Sequence, residues 1–278
     1  MVKFFIDPGH GGTDPGAVGN GLQEKNLTLT ISKKIRDLLL QYNNTQVRLS
    51  REGDQLLTLK QRTDMANAWG ADFLLSVHIN AGGGTGYEDF RYNTLPASSS
   101  TGMIQSTIHR SVMGEIRSYN VVDRGAKAAN FHMLRESAMP AILTENLFID
   151  RAADANLLKN NTFLDAVARG HVNGLVRAFG LTRKQSASAP VKGAEDMGLE
   201  AGRLAAKPEV GNLGVLKVLE GTILREGPVY TTPIIGRIEA GGEYKVYDYQ
   251  GGWYNVGAGW IFSEYVNFLP NRNAKMSL

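Results

Sequence analysis

Hydrophobic residues in the first 180 positions follow two spacings, one typical of buried strands and one typical of amphipathic helices. Residues 2–6 and 73–79 are short, nearly continuous apolar runs, whereas Leu27, Ile31 and Ile35 recur at the spacing of one helix face. The pattern predicts strands over residues 2–6, 46–49, 72–79 and 141–145, and helices over residues 24–39, 59–69, 100–119 and 163–179. Strands that alternate with helices indicate an α/β domain with a mostly parallel sheet flanked by helices.

The C-terminal part of the chain has a different pattern. Ten aromatic residues fall between residues 215 and 268, in short apolar runs separated by glycine-rich turns. The runs predict strands over residues 215–219, 244–249, 253–256 and 260–262, as in a small all-β barrel. Residues 183–213 are small and polar without apolar periodicity, which predicts a linker. We therefore expect a first domain at residues 1–182 and a second at residues 214–278.

Composition and charge exclude several kinds of protein. The chain has no cysteine, which excludes disulfide frameworks, thiol nucleophiles and cysteine-ligated zinc sites. The formal net charge is +3 and no basic run is longer than two residues, so we expect no nucleic-acid partner. The apolar N-terminal stretch is only a few residues long, so we expect neither a signal peptide nor membrane insertion.

Two histidines and a glutamate are candidate metal ligands. His10 follows the first predicted strand in a glycine-rich turn, His78 lies near the end of the third, and Glu24 opens the first helix. Because functional sites form where parallel strands end, we expect these side chains to converge. Two imidazoles and a carboxylate are the ligand set of a catalytic zinc site with an open fourth position. The alternative is a structural role for each histidine and a helix-capping role for the glutamate.

Glu145 ends another predicted strand at the same edge. A free carboxylate beside a metal site is the general base that hydrolysis by an activated water requires. A solvated glutamate at a strand end after Pro140 is the simpler interpretation. The convergence of three ligand candidates and a base favours an enzyme without establishing one.

The motifs around these residues resemble a known enzyme family. They are the runs at residues 5–12, 76–81 and 140–149, together with Glu24, Ser50, Arg51 and Arg62. Their order and spacing resemble the zinc-dependent N-acetylmuramoyl-L-alanine amidases of the amidase-3 type over about residues 1–180. The resemblance implies a twisted six-stranded sheet, one zinc ion (Zn2+) held by His10, Glu24 and His78, and Glu145 as the catalytic base.

The chain departs from the family pattern at two motifs. Serine stands at position 50, before Arg51, where threonine is usual. After Glu145 the usual small residue and glycine are replaced by Asn146 and Leu147, and the usual phenylalanine follows as Phe148. Neither change affects an inferred ligand, so substrate fit is the property we expect them to alter.

Other polar residues are weaker candidates. Asn80 shares a strand face with His78, and His132 precedes the Glu145 strand, so both are candidate substrate-binding residues. The alternative for Asn80 is a turn-forming role at a strand end. His109 and His171 lie on predicted helices, where surface or core-edge roles are the expectation.

The aromatic segment at residues 252–266 resembles bacterial SH3-like wall-binding domains over roughly residues 214–270. We expect packing in the barrel core to use most of its aromatic side chains. With the first resemblance, this implies a monomeric peptidoglycan hydrolase similar to a phage or prophage endolysin. Such an enzyme is made in the host cytoplasm and acts on the bacterial cell wall after release, although autolysins also fit.

The leading hypothesis is cleavage of the amide between N-acetylmuramic acid and L-alanine by zinc-activated water. Two alternatives remain open. A His2Glu zinc site with a glutamate base also suits a peptidase acting within the peptidoglycan stem peptide. The other alternative is a protein that binds the cell wall without catalytic activity.

Overall fold

The computed structural model describes residues 1–184, 213–218, 222–228, 232, 234–238, 241–250, 253–262 and 266–270. The chain divides into two compact units, Met1–Thr182 and Arg183–Leu278. The linker predicted over residues 183–213 lies outside the described residues except at its ends. No helix in the described part is long and apolar enough to cross a membrane.

The first unit is an α/β domain. Its strands are β1 (Val2–Pro8), β2 (Val18–Gly19), β3 (Leu22–Gln23), β4 (Thr45–Leu49), β5 (Phe73–Asn80), β6 (Tyr87–Tyr92), β7 (Asp123–Ala129) and β8 (Ala141–Phe148). Its helices are α1 (Glu24–Leu39), α2 (Leu59–Trp69), α3 (Ser100–Ile116), α4 (His132–Arg135), α5 (Ala152–Leu158) and α6 (Asn161–Phe179). A 3-10 turn, Arg117–Tyr119, follows α3, so the helix predicted over residues 100–119 ends in a tighter turn.

Six strands form one sheet in the order β4-β1-β5-β8-β6-β7. All neighbouring pairs are parallel except β6 and β8, which are antiparallel. This confirms the predicted sheet flanked by helices. Strands β6 and β7 were not predicted because charged and small residues interrupt their few apolar ones.

Helices cover both faces of this sheet. On one face Phe4 and Phe73 pack against Phe179 of α6, with ring centroids 5.1 and 5.6 Å apart. On the other face Phe5 and Leu74 join a cluster with residues of α2 and α4. Alternate residues of each strand thus face opposite layers, which is why these strands are apolar without interruption.

The second unit is all-β in its described part. Its strands are β9 (Gly214–Val218), β10 (Thr222–Arg225), β11 (Ile234–Ile238), β12 (Glu243–Val246), β13 (Asp248–Gln250), β14 (Trp253–Asn255), β15 (Trp260–Phe262) and β16 (Val266–Pro270). They form two sheets, ordered β11-β10-β15-β14-β13 and β12-β9-β16. The strand predicted over residues 244–249 is therefore two strands that belong to different sheets.

Aliphatic side chains form most of the core of this unit, and Trp253 and Tyr254 are its buried aromatic residues. Tyr254 lies between Tyr249 and Phe268, with ring centroids 4.9 and 4.8 Å away. Tyr247 is exposed. Tyr244, Tyr249 and Phe268 are partly buried.

Candidate metal centre

His10 is held in an unusual backbone conformation at the end of β1. Its φ of 62° lies in the left-handed region, which residues other than glycine rarely adopt. The buried Arg62 guanidinium donates hydrogen bonds to the carbonyl oxygens of Pro8 (2.6 Å) and His10 (2.6 Å). Arg62 is in turn paired with the buried Asp7 carboxylate at 2.8 Å. These contacts fix the turn and point the imidazole across the end of the sheet.

Glu24 lies between the two histidines. Its Oε2 is 3.2 Å from His10 Nε2, and its Oε1 is 3.0 Å from His78 Nδ1. Backbone N–H groups of Ala17 (2.8 Å) and Ile79 (2.9 Å) also donate to the carboxylate. Glu24 is buried, and one atom of each of the three side chains lies within 4.8 Å of the other two. The structure therefore brings together all three predicted ligands.

Two glycines leave the space in which the cluster forms. A Cβ atom on Gly9 would overlap the His78 imidazole, and one on Gly16 would lie 2.6 Å from Glu24 Oε2. Gly16 also has a φ of +66°, which disfavours a side chain independently. The glycine-rich turn is thus required by close approach to the candidate ligands.

The electrostatics of the cluster favour a bound cation. Burial raises the pKa of Glu24, but hydrogen bonds and charges from His10 and His78 outweigh it and hold the pKa well below its usual range. Burial lowers the pKa of His10, but Glu24 and Asp14 raise it to about 9. An ionised, buried carboxylate that draws positive charge suits a divalent cation. Two imidazoles and one carboxylate are donors that zinc accepts.

Asp14 is a residue that the sequence prediction missed. Its Oδ2 lies 2.8 Å from His10 Nδ1, on the opposite side of the ring from Glu24. A carboxylate on the far nitrogen of a metal-ligating histidine fixes the tautomer and orients the ring. The only sequence signal was its position four residues after His10 in the turn.

Glu145 lies beside the cluster on β8, directly opposite His78 of β5 in the sheet register. Burial and the carboxylates of Glu24 and Glu88 together raise the pKa of Glu145 to about 7, against the lowering effect of His78 and His10. Its Oε2 is buried and has no hydrogen-bond partner among the described residues. A carboxyl with a pKa near neutrality and an open oxygen has the properties of a general base.

A β-bulge follows Glu145. His78 pairs with Glu145 and Asn80 pairs with Phe148, so β8 contains one residue more than β5 between these points. The bulge includes Leu147, whose φ is 71° although its side chain is fully buried. Bulges next to active sites redirect side chains, and this one ends the regular pairing just beyond Glu145.

The two candidate substrate-binding residues are placed differently. Asn80 lies at the end of β5, and its Nδ2 donates to Glu88 Oε1 at 2.6 Å while its Oδ1 accepts from the Ala81 N–H at 2.9 Å. His132 opens α4, and its Nε2 lies 3.4 Å from Thr63 Oγ1. Among the described residues His132 has no hydrogen bond to the metal-binding cluster. Substrate contact by either residue remains a prediction.

The surface alternative for His109 and His171 is wrong, because both are buried. His109 lies between the buried Asp89 (2.7 Å) and the exposed Asp123 (2.9 Å), so the helical histidine joins a polar cluster at the edge of the core. Burial lowers the pKa of His171 to about 4, so this ring is neutral. Helical periodicity did not reveal these contacts, since they come from strands remote in the sequence.

The N-acetylmuramoyl-L-alanine amidase family matches residues 4–177, a range that contains all four residues of the site. The chain belongs to this family. The sporulation-specific N-acetylmuramoyl-L-alanine amidase of Bacillus subtilis is 56% identical over 187 residues, 67% of this chain and 71% of that protein. The endolysin of Bacillus phage SPP1 is 46% identical over 189 residues, 68% of this chain and 70% of that protein.

A solved structure of an amidase agrees with the fold. The crystal structure of N-acetylmuramoyl-L-alanine amidase from Clostridium difficile 630 has a TM-score of 0.61 and 34% sequence identity, covering 64% of this chain and 96% of that one. Residues 220–267 match the bacterial SH3 domain family. The sequence-based resemblances to an amidase domain and an SH3 domain are thus both confirmed.

Proposed function

We propose that this amidase hydrolyses the bond between the muramoyl lactyl group and L-alanine, using one zinc ion and Glu145 as the general base. His10, Glu24 and His78 would hold the ion. When bound there, zinc would supply Lewis-acid polarisation of the amide carbonyl and activation of water. The observation that carries the proposal is Glu145, directly opposite His78, with its Oε2 buried and without a hydrogen-bond partner among the described residues.

The protein's own groups account for the proton transfers. Glu145 accepts a proton from the attacking water, for which its pKa of about 7 is suited. It then returns the proton to the alanine nitrogen as the C–N bond breaks. The products are a muramoyl carboxylate and a peptide with a new N-terminal alanine. Asp14 keeps the His10 ring in place throughout by accepting from its Nδ1.

The test is the chemistry of a cell-wall digest with Glu145→Gln and a matched control. Glu52→Gln removes the charge of an exposed glutamate that pairs with Arg36. We expect the wild type and Glu52→Gln to release N-terminal alanine and a chelator to stop this release. Loss of a general base costs about 100- to 10,000-fold in rate, so Glu145→Gln should fall by that factor while still binding zinc.

The digest also separates the competing functions. A new amino terminus other than alanine would establish a stem-peptide peptidase instead. Full activity of Glu145→Gln, or full activity after zinc removal confirmed by metal analysis, would refute the proposed mechanism. Absence of any new terminus with intact, zinc-loaded protein would favour a protein that only binds the wall.

We also propose that the SH3 domain retains the enzyme on the bacterial cell wall, where it acts after release. The match to the bacterial SH3 domain family and the relationship to a phage endolysin support this role. Tethering raises the local concentration of a catalytic unit on an insoluble polymer. In a pelleting assay with chelator present, a chain ending at Thr182, where the first compact unit ends, should bind walls at least tenfold more weakly than the full chain. Equal binding would refute the role.

A further inference from the structure

Three charged side chains form a cluster on the far side of Glu145 from the metal centre. Glu88 of β6 is buried, and its Oε1 accepts a hydrogen bond from Asn80. Its Oε2 pairs with Arg124 Nε at 3.1 Å and with the Lys127 ammonium, both from β7. We call Glu88, Arg124 and Lys127 the Glu88 cluster. One negative and two positive groups leave it with a net charge of +1.

A second β-bulge brings the two cations together. Tyr87 pairs with Asp123 and Asp89 pairs with Ala126, so β7 has one residue more than β6 between these points. Gly125 lies in this bulge with a φ of 85°. In a regular strand, residues three apart point to opposite faces. The bulge is the reason that Arg124 and Lys127 both reach Glu88.

The sheet register aligns the cluster with the catalytic residues. His78 of β5 is opposite Glu145 of β8, and Glu145 is opposite Glu88 of β6. Neighbouring strands are roughly 4.8 Å apart. The groups therefore form a row that runs from the metal centre, past the general base, to the Glu88 cluster.

Arg124 is held in place, and part of its guanidinium group remains available to donate hydrogen bonds. Its guanidinium lies over the Phe148 ring, 4.8 Å from the centroid, and against the Glu88 carboxylate. Its side chain is 31% exposed, and its Nη2 group has no hydrogen-bond partner among the residues the structure describes. A planar guanidinium fixed by stacking, with an open face, is suited to binding a carboxylate.

The proposed function, on which this inference rests, gives the direction of the substrate along the row. The amide carbonyl faces the metal centre, and the leaving nitrogen faces Glu145, which returns the proton to it. The peptide that begins with alanine therefore extends past Glu145 toward β6 and β7. We propose that Arg124 binds a carboxylate on the residue that follows alanine in this peptide.

The distances allow this contact. Two extended residues span roughly 7 Å, and Glu88, against which the Arg124 guanidinium lies, is one strand spacing of roughly 4.8 Å from Glu145. Lys127 offsets the charge of Glu88, so the positive charge of Arg124 is available to the substrate. The subsite selects for a peptide with an acidic second residue whose carboxylate is free.

The test compares two soluble substrates whose second residue has its γ-carboxylate blocked as an amide. One is N-acetylmuramoyl-L-alanyl-D-glutamate γ-amide, with a free α-carboxylate, and the other is the same compound with its α-carboxylate also amidated. We expect the wild type to have a KM about 10- to 100-fold lower for the free carboxylate, with similar kcat for both, because binding that is equal in ground and transition states acts on KM. In Arg124→Gln this preference should disappear, with kcat on the doubly amidated compound within twofold of the wild type.

Arg169→Gln is the matched control, because Arg169 forms a surface ion pair with Glu115 on the helices α6 and α3. It should keep the full preference. Cleavage of both compounds by the wild type without preference, or an equal loss on both in Arg124→Gln, would overturn the subsite while leaving the amidase function intact. Release of N-terminal alanine from neither compound, nor from whole walls, would refute the proposed function itself.

Discussion

Replacing Leu147 tests whether the bulge after Glu145 has a left-handed backbone conformation. Leu147 is fully buried, with a φ of 71°. Truncation of a buried leucine to alanine costs about 2–5 kcal/mol of unfolding free energy. The left-handed conformation costs about 1–2 kcal/mol for a residue with a Cβ atom, and glycine avoids this cost. Glycine loses about 0.5–1 kcal/mol more backbone entropy than alanine on folding.

A buried leucine with ordinary φ is the reference that isolates the backbone cost. The change from alanine to glycine should be about 1–2 kcal/mol more favourable at position 147 than at such a reference, because only position 147 has a positive φ. Leu143 on the same strand is also buried and is not among the residues with positive φ. There the usual order should hold, and Leu143→Gly should be the worse variant by about 0.5–1 kcal/mol.

Urea unfolding followed by circular dichroism at 222 nm measures these differences. Every described helix lies in the first unit, so the helical signal reports on the domain that contains Leu147. An equal alanine-to-glycine difference at both positions would refute the left-handed conformation.

Three further outcomes follow from the structure. Gly16→Ala should weaken zinc binding about 10- to 100-fold in a competition titration. Gly21→Ala is the control and should not weaken it, because Gly21 has a similar φ of +78° but a Cβ there would have nothing within 4 Å. Arg62→Met leaves a buried carboxylate unpaired and should cost about 3–5 kcal/mol in urea unfolding, against about 1 kcal/mol or less for Lys60→Met in an exposed pair on the same helix. The pKa of His171 is about 6.5 in the unfolded chain and about 4 in the folded protein. The free energy of unfolding should therefore fall as the pH drops between these values. Relative to His171→Gln the loss should reach about 3 kcal/mol, and parallel pH profiles would contradict the buried neutral ring.

The sequence was sufficient for the apolar framework of the first domain. Strand β5 and helix α1 are long, strongly patterned segments, and both lie within one residue of their predicted positions. The carboxyl ends of strands also led to His10, His78 and Glu145, because residues at these ends project to one edge whatever the loops do. Strands β6 and β7 were missed because strands with many charged and small residues have little apolar periodicity.

The candidate ligands and the base could be identified from residue type, order and resemblance. Only the tertiary structure determined how they act on each other. The pKa of Glu145 depends on burial and on carboxylates from α1 and β6, which lie more than fifty residues away. Only the contacts in the structure revealed the roles of Asp14, Glu88 and Arg124. From sequence alone, a charged residue in a turn or in a strand with many charges is expected to be solvated. Pattern along the chain determines which residues are buried and where strands end, but distances between remote side chains arise only when the sheet register and its bulges are set.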